Sequence, residues 1–204
     1  MKKYIFCLVL LFTLFGCKEQ EILTGVFTDS RDGETYKTIK IGDQVWMAEN
    51  LNYNAEGSWV YDNNISNSNI YGRLYNWETA CKICPKGWHL PNKEEWEKLI
   101  EYLGGDLLDK SSFVGGYLKE VGTNHWESPN KSASNRSGFT ALPGGHGGSY
   151  NEFYAKGTFA HFITSSADTS WWLSWCVVLN YQDANIEFSP QSKVDGYSIR
   201  CIKD

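Results

Sequence analysis

The chain has 204 residues and a formal net charge of −5 at pH 7, and 15% of its residues are aromatic. This length fits one domain of ordinary size, and the acidic excess argues against a nucleic-acid-binding protein, which needs a basic face. Nine tryptophans and twelve tyrosines, mixed with many Gly and Asn residues, indicate a loop-rich α+β fold with an aromatic core.

The N-terminus is typical of an export signal. Lys2 and Lys3 precede an apolar run over residues 5–15. A bilayer span needs about 20 apolar residues, so this run is too short to cross a membrane and fits a signal-peptide core instead. Gly16 and Cys17 follow it and resemble the lipobox of bacterial lipoproteins, which implies cleavage after residue 16 and a lipid on Cys17.

We therefore predict a signal peptide over residues 1–16, a lipidated tether over 17–24 and one folded domain over 25–204. Several acyl chains on one cysteine hold a protein firmly on a membrane. Lys18 is not the aspartate that resembles an inner-membrane retention signal, and "CKEQE" resembles the acidic segment of Bacteroidetes-type surface lipoproteins. We expect a lipid anchor in the outer membrane, with the domain in the periplasm or exposed on the cell surface.

The first elements of the domain are strands. Residues 35–47, "TYKTIKIGDQVWM", alternate between polar and apolar side chains on both sides of Gly42 and Asp43, which predicts a β-hairpin. Residues 52–70 are rich in Asn and Ser and predict an exposed loop. "YNWETAC" at 75–81 predicts a short helix.

The clearest helix follows "GWHLP". Asn92 is expected to cap its N-terminus, Glu95 to complete a capping box, and Gly104 and Gly105 to end it. Its apolar residues recur at helical spacing and are expected in the core: Trp96, Leu99, Ile100 and Leu103. Four strands are predicted near the C-terminus, over residues 161–166, 170–180, 186–190 and 196–204.

Four cysteines remain once Cys7 leaves with the signal and Cys17 carries lipid: Cys81, Cys84, Cys176 and Cys201. An even number of cysteines in an exported protein favours two disulfides. A redox Cys-x-x-Cys and a zinc site remain alternatives, although zinc would need two more ligands and the nearest candidate, His89, stands alone.

Eight segments, in order, resemble the Fibrobacter succinogenes major paralogous domain, a family of exported bacterial proteins: "IGDQVWMAENLNY", "GRLYNWETA", "CPKGWHLPNKEEWEKL", "GGYLKEVG", Trp126, "NRSGFTALPGG", "FITSSADTSWWLSW" and "DGYSIRCIKD". The family resembles the C-type-lectin-like fold, in the branch of the formylglycine-generating enzyme. The resemblance implies two helices, small antiparallel sheets, long loops and paired N- and C-terminal strands. It also implies a disulfide between Cys84 and Cys201, which leaves Cys81 and Cys176 to pair with each other.

We expect no catalysis and no catalytic residue. The formylglycine-generating enzyme works through a pair of cysteines near its C-terminus that bind copper, whereas only Cys201 lies in the terminal strand here. The four histidines are scattered, and the sequence contains neither a Gly-x-Ser-x-Gly elbow nor a P-loop. An enzyme of that type with altered chemistry, or a purely structural envelope protein, is the alternative.

Lectin-like folds hold ligands on long loops, and exposed aromatic rings stack on sugars or anchor protein partners. The candidates for ligand binding are His146, Tyr150, Asn151, Tyr154, Trp171 and Trp172. The competing explanation is that Trp172 packs in the core, because one of two adjacent residues on a strand faces inward. Five other tryptophans are expected in the core: Trp46, Trp77, Trp88, Trp96 and Trp175.

No cofactor is expected, with a structural calcium left open and any metal ligands unknown. The Glu-Pro-Asn triplet of sugar-binding lectins is absent, since "ESPN" at 127–130 has an inserted residue. We expect a noncatalytic envelope lipoprotein that presents a lectin-like module to a glycan or a protein ligand.

Overall fold

The computed structural model describes residues 23–106 and 113–204. The expected signal peptide and the lipidated Cys17 lie outside the described residues. Within the described part the fold is mixed α/β, with four α-helices and several small antiparallel sheets. No helix of this part is long and apolar enough to span a bilayer.

The predicted hairpin is confirmed. Strands β1 (Thr24–Thr28), β2 (Thr35–Ile41) and β3 (Gln44–Met47) are antiparallel neighbours, and β2 turns into β3 at Gly42. The backbone of Gly42 has φ 60°, which favours glycine because it has no Cβ. The alternating pattern of β2 buries Tyr36, Ile39 and Ile41 and leaves the lysines between them in solvent.

Residues 52–70 are more ordered than the sequence predicts. They contain the short strand β4 (Ser58–Trp59) and the first helix, α1 (Ile65–Tyr71), and β4 pairs with β5 (Leu74–Tyr75). Asn64 caps α1 by accepting the N–H of Ser66. The exposed loop predicted here is therefore wrong, because a cap and burial of polar side chains stabilise a helix that Asn and Ser do not favour by propensity.

The next helices begin at caps visible in the sequence. Asn76 caps α2 (Trp77–Ile83), the predicted short helix, and the strand β6 (Trp88–His89) follows. In α3 (Lys93–Tyr102), Asn92 accepts the N–H of Glu95 while the Glu95 carboxylate accepts the N–H of Asn92, at 2.8 Å each. The predicted capping box is thus confirmed.

A fourth helix, α4 (Val114–Leu118), makes the expectation of two helices wrong in number. The sequence "VGGYL" disfavours a helix, since glycine costs about 1 kcal/mol relative to alanine in a helix interior. Close packing explains both glycines. A Cβ on Gly115 would lie 2.1 Å from the carbonyl oxygen of Asn185, and one on Gly116 would lie 2.3 Å from that of Ser132.

Six strands complete the chain: β7 (His146–Gly147), β8 (Phe153–Tyr154), β9 (Phe159–Ala167), β10 (Leu173–Asn180), β11 (Glu187–Ser192) and β12 (Ile202–Lys203). The four strands predicted near the C-terminus correspond to β9 to β12. The sheets have the orders β1-β2-β3-β12-β6 and β11-β10-β9, with β7 paired to β8. The terminal strand β12 pairs with β3 of the N-terminal hairpin and with β6, which confirms the expected pairing of N- and C-terminal strands.

The core is aromatic, as expected. Trp46 and Trp96 are fully buried with ring centroids 4.8 Å apart, and Phe139 and Phe162 pack on the Trp96 ring at 5.5 Å and 5.6 Å. Of the other tryptophans expected in the core, Trp88 is buried, whereas Trp77 and Trp175 are only half-buried. Offset and edge-to-face aromatic pairs each add about 0.5–1.5 kcal/mol beyond area burial.

A buried guanidinium joins this core to the sheet. Arg200 is 1% exposed, and its nitrogens donate to Asn50 Oδ1 at 2.6 Å and to the carbonyl oxygens of Met47, Phe139 and Thr140. Burial lowers the pKa of Arg200 to about 9. The planar fork donates to four acceptors in two separate segments, Met47 and Asn50 in one and Phe139 and Thr140 in the other.

The Cys84–Cys201 disulfide implied by the family resemblance is present. The pairing of Cys81 with Cys176 is wrong, because both are free thiols. Cys81 is exposed on α2, whereas Cys176 is fully buried in the central strand of the β11-β10-β9 sheet. Cys81 and Cys84 are therefore not bonded to each other, and only Cys84 takes part in a disulfide.

His89 links the start of α3 to the C-terminus. Its two ring nitrogens lie 2.8 Å from Glu95 Oε1 and 2.7 Å from Asp204 Oδ1. Partial burial lowers the pKa of His89, but the hydrogen bonds to the two carboxylates outweigh it, so the pKa lies above its ordinary value. When His89 is protonated, its two ring N–H groups donate to both carboxylates and link Asp204 to the start of α3.

Candidate functional site

Two distant segments meet at one backbone contact. Gly147 and Gly196 exchange both of their backbone hydrogen bonds at 3.0 Å, so the glycine-rich loop after β7 and the turn after β11 extend from the same point. The loop runs from Gly148 to the start of β8, and the turn covers residues 193–195. Their side chains form the two walls of a cleft.

Two glycines shape the loop. Gly147 has φ 129°, and a Cβ there would lie 2.2 Å from the carbonyl oxygen of Glu152. Gly148 has φ 114°, and a Cβ there would lie 2.4 Å from the indole of Trp59. Positive φ and these short approaches together require glycine, so the sequence "GGHGGSY" specifies this tight loop.

The cleft has a volume of about 270 Å³. One wall consists of His146, Ser149, Tyr150, Glu152 and Tyr154, with Gly147 at its base. The other wall consists of residues from the end of β11 and the turn, namely Ser192, Val194 and Asp195. The mixture of aromatic, hydroxyl and carboxylate groups suits a polar ligand that also offers an apolar face.

Exposed aromatic side chains border this cleft. Tyr150 is 91% exposed and Tyr154 is 51% exposed, and Val194 adds an exposed aliphatic group. Exposed apolar groups that are gathered in one place make this surface a candidate for ligand contact.

The two adjacent tryptophans lie in the turn before β10, which is hydrogen-bonded to the turn at residues 193–195. Trp171 is 81% exposed and Trp172 is 52% exposed, with ring centroids 5.4 Å apart in an edge-to-face arrangement. The competing explanation that Trp172 packs in the core is wrong, because both residues lie in the turn before β10 and not on a strand. The carbonyl of Trp172 accepts the N–H of Lys193 at 2.9 Å, which connects the pair to the turn that lines the cleft.

Hydrogen bonds fix the cleft's polar groups. Ser149 Oγ donates to Asp195 Oδ1 across the cleft, and the Tyr154 hydroxyl donates to Glu152 Oε2 at 2.6 Å. Asn151, the remaining predicted site residue, does not line the cleft, and its side-chain oxygen accepts from Asn63 Nδ2 at 2.5 Å. Asn151 therefore positions the loop and is not placed to contact a ligand inside the cleft.

A pair of imidazoles lies on the inner side of the cleft. The ring of His146 lies 4.7 Å from the ring of His161, and the stacked ring of Tyr197 is 6.0 Å from His146. Burial lowers the pKa of His146 despite the opposing charge of Asp195, and burial lowers the pKa of His161 to about 3. Both rings are therefore neutral near pH 7. The Nδ1 atoms of both are buried and have no hydrogen-bond partner.

Metal binding finds little support in side-chain positions. Among the described residues, no three His, Cys, Asp or Glu side chains converge closely enough to hold a metal ion. The structural calcium left open by the sequence stays a prediction, since backbone carbonyls are also calcium ligands.

Two further clefts, of about 480 and 520 Å³, lie elsewhere. Arg200 lines the first and Thr79 the second, and neither cleft has an aromatic side chain in its lining. The smaller cleft beside the glycine-rich loop remains the best candidate, because exposed rings surround it.

Sequence reasoning found the aromatic residues of this surface but missed the opposite wall. Ser149, Glu152, Val194 and Asp195 were not predicted. The turn signal "VDG" at 194–196 marks a surface turn. Contacts between residues more than 40 positions apart, Gly147 with Gly196 and Ser149 with Asp195, place that turn beside the loop, and local patterns do not encode such contacts.

The chain was compared with known proteins. Neither the curated proteins nor the solved structures gave a match. The Fibrobacter succinogenes major domain matches over residues 39–203, which includes every residue of the cleft and the disulfide. The match confirms the family resemblance drawn from the eight sequence motifs, and the chain belongs to the Fibrobacter succinogenes major domain family.

Proposed function

We propose that this protein is a noncatalytic, lipid-anchored protein of the outer membrane that presents a C-type-lectin-like module and binds a glycan in the cleft. The observation that carries the proposal is the set of four exposed rings in segments next to the turn at residues 193–195: one from the glycine-rich loop, one from β8 and two from the turn before β10. Tyr150 and Tyr154 line the polar cleft, and Trp171 and Trp172 lie in a segment that is hydrogen-bonded to the turn on its other side.

The chemistry of the cleft fits a sugar. A pyranose ring has an apolar face that stacks on Tyr or Trp and a rim of hydroxyls that hydrogen-bond to carboxylates and serines. Tyr150 and Tyr154 supply the rings, while Ser149, Glu152 and Asp195 supply the polar groups. The Trp171–Trp172 pair extends the aromatic surface beyond the cleft, which suits a ligand of several sugar units.

The enzyme alternative has less support. An enzyme of the formylglycine-generating type would need a reduced thiol near the terminal strand, whereas Cys201 is bonded to Cys84. The remaining thiol of the sheet, Cys176, is fully buried, and burial raises its pKa well above the ordinary value. A buried thiol with a raised pKa is a poor nucleophile.

The proposal of a lipid anchor and of an outer-membrane location rests on the N-terminal sequence alone. On this proposal, the tether before β1 connects the lipid to the edge of the five-stranded sheet. A module held at a membrane in this way would retain a glycan close to the cell.

The test is binding of the full-length protein to a broad glycan and polysaccharide panel, with and without calcium. We expect saturable binding that Tyr150→Ala and Trp172→Ala each weaken about 3- to 10-fold, as expected for loss of one aromatic contact. Phe113→Ala is the matched control, because Phe113 is 59% exposed and lies outside the cleft. A blank panel with folded protein would overturn the proposal and direct attention to protein ligands.

A further inference from the structure

We infer that the glycan bound in the cleft carries a protonated amine, so that the preferred ligand is an amino sugar and not an acidic or fully acetylated one. This inference rests on the proposed glycan-binding function and adds the chemical class of the ligand. Three features of the cleft support it: its charge, the positions of the nearby lysines, and its unused hydrogen-bond acceptors.

The cleft has negative but no positive side chains. Glu152 and Asp195 line it on opposite walls, and no Lys or Arg belongs to its described lining. His146 is uncharged near pH 7, because burial lowers its pKa. A carboxylate or sulfate on the ligand would meet two carboxylates and no compensating cation, whereas an ammonium group would be attracted to both.

The two lysines nearest the cleft in sequence are held away from it. Lys193 lies between two lining residues, yet its Nζ donates to the carbonyl of Trp171 at 3.0 Å and lies 4.1 Å from the ring centre of Trp77. Lys156 donates to Asn67 Oδ1 at 3.1 Å and lies over the ring of Tyr61. Both ammonium groups are therefore engaged by oxygen atoms and aromatic rings, and neither lysine belongs to the lining of the cleft, whose charged residues are the acids Glu152 and Asp195.

Hydrogen-bond acceptors exceed donors in the cleft. The hydroxyl hydrogens of Ser149 and Tyr154 are already donated to the two carboxylates, and each carboxylate has about four acceptor positions. Each carboxylate therefore has acceptor positions left after the one hydrogen bond described for it in the cleft.

An ammonium group matches this imbalance, because it supplies three donors and no acceptor. It also gains from nearby aromatic faces, since a cation within about 6 Å of a Tyr ring is attracted to the ring's quadrupole. Tyr150 and Tyr154 are the rings that the cleft offers. An acetamide in the same place would lose the charge and add an acceptor that these residues cannot satisfy.

The test compares tetramers of glucosamine, of N-acetylglucosamine and of galacturonate as ligands for the full-length protein, by calorimetry at low and high salt. We expect the glucosamine tetramer to bind at least about 10-fold more tightly than the acetylated one, with a preference that salt weakens. Glu152→Gln and Asp195→Asn should each reduce that preference about 3- to 10-fold. Glu187→Gln, an exposed acid on β11 outside the cleft, should leave it unchanged.

The outcomes separate this inference from the proposed function. Equal or tighter binding of the acetylated or acidic tetramer would overturn the amino-sugar inference and leave glycan binding intact. A lysine-rich peptide serves as a fourth probe. If the protein binds this peptide but none of the three tetramers and no glycan of the broad panel, both the amino-sugar inference and the glycan-binding function are overturned. Because Asp195 also accepts the Ser149 hydroxyl, a misfolded Asp195→Asn variant would leave Glu152→Gln as the deciding substitution.

Discussion

The disulfide allows the most quantitative prediction about this fold. Cys84 is the C-cap of α2, and Cys201 directly precedes β12. The carbonyl of Cys201 also accepts the N–H of Met47 in β3. The bridge joins residues 117 positions apart. In the loop-entropy model, closing a loop of that length in the unfolded chain stabilises the native state by about 5 kcal/mol. That is comparable to the whole stability of a marginal domain.

We therefore expect the double substitution Cys84→Ala and Cys201→Ala to lower the free energy of unfolding by about 4–5 kcal/mol. Urea denaturation of the wild type and of the double variant, with each free energy of unfolding extrapolated to zero denaturant, measures this difference. Cys81→Ala is the matched control, because Cys81 is a free thiol at the surface, and it should change stability by less than about 0.5 kcal/mol.

Thiol counting gives an independent check on the same connectivity. Without reduction, the mature domain should present Cys81 to a thiol reagent when native and both Cys81 and Cys176 when denatured, because Cys176 is fully buried. A loss of stability below about 2 kcal/mol in the double variant, or no free thiol after denaturation, would refute the reasoning.

Three further predictions concern stability. The pKa of His89 is raised in the folded state, so protonated His89 stabilises the fold. Its contribution to the free energy of unfolding is below about 1 kcal/mol after solvent screening. This contribution is fully present below a pH of about 6.5 and is lost as the pH rises through the folded pKa. The difference in unfolding free energy between wild type and His89→Gln should therefore shrink from pH 6 to pH 9, and a constant difference would contradict this. Arg200→Lys should cost about 2–4 kcal/mol in urea unfolding, because buried carbonyls lose their donors; a loss under about 1 kcal/mol would contradict the described network. Gly148→Ala should lower the melting temperature by several degrees, because the added Cβ collides with the ring of Trp59. Gly122→Ala is the control for backbone strain, since Gly122 also has a positive φ but a Cβ there meets no atom within 4 Å. A smaller loss of melting temperature in Gly122→Ala than in Gly148→Ala would assign the difference to the collision.

Local signals predicted those elements that local chemistry determines. The Asn92–Glu95 capping box and the Gly42 turn need only residues within a few positions, and both are present as predicted. The Cys84–Cys201 disulfide was predicted only through the family resemblance, since a Cys-x-x-Cys motif carries no information about a partner 117 positions away.

The incorrect predictions arise where tertiary contacts override propensity. Helix α4 contains two glycines because neighbouring carbonyls approach too closely for any other residue. Helix α1 forms in an Asn- and Ser-rich segment because its cap and its buried face stabilise it. The pairing of Cys81 with Cys176 was inferred by elimination, and elimination fails when one thiol is on the surface and the other inside a sheet.

The same distinction holds at the candidate site. Tyr150, Trp171 and Trp172 could be selected from sequence as aromatic residues in loops, and all three are highly exposed. Asp195 and Glu152, which set the charge of the cleft, could not be selected, because solvated acidic residues are common at protein surfaces. Their significance depends on the backbone contact that brings the loop and the turn together.

The proposed function places a glycan on this cleft and its exposed rings. Titration of the ¹⁵N-labelled protein with the best glycan from the panel, following the indole N–H signals of the tryptophans, tests this directly. We expect progressive shifts for Trp171 and Trp172, which are exposed, and none for Trp46 and Trp96, which are buried in the core. Saturable binding that leaves the signals of Trp171 and Trp172 unmoved, while backbone signals around Arg200 shift, would contradict the assignment and place the ligand in the other cleft.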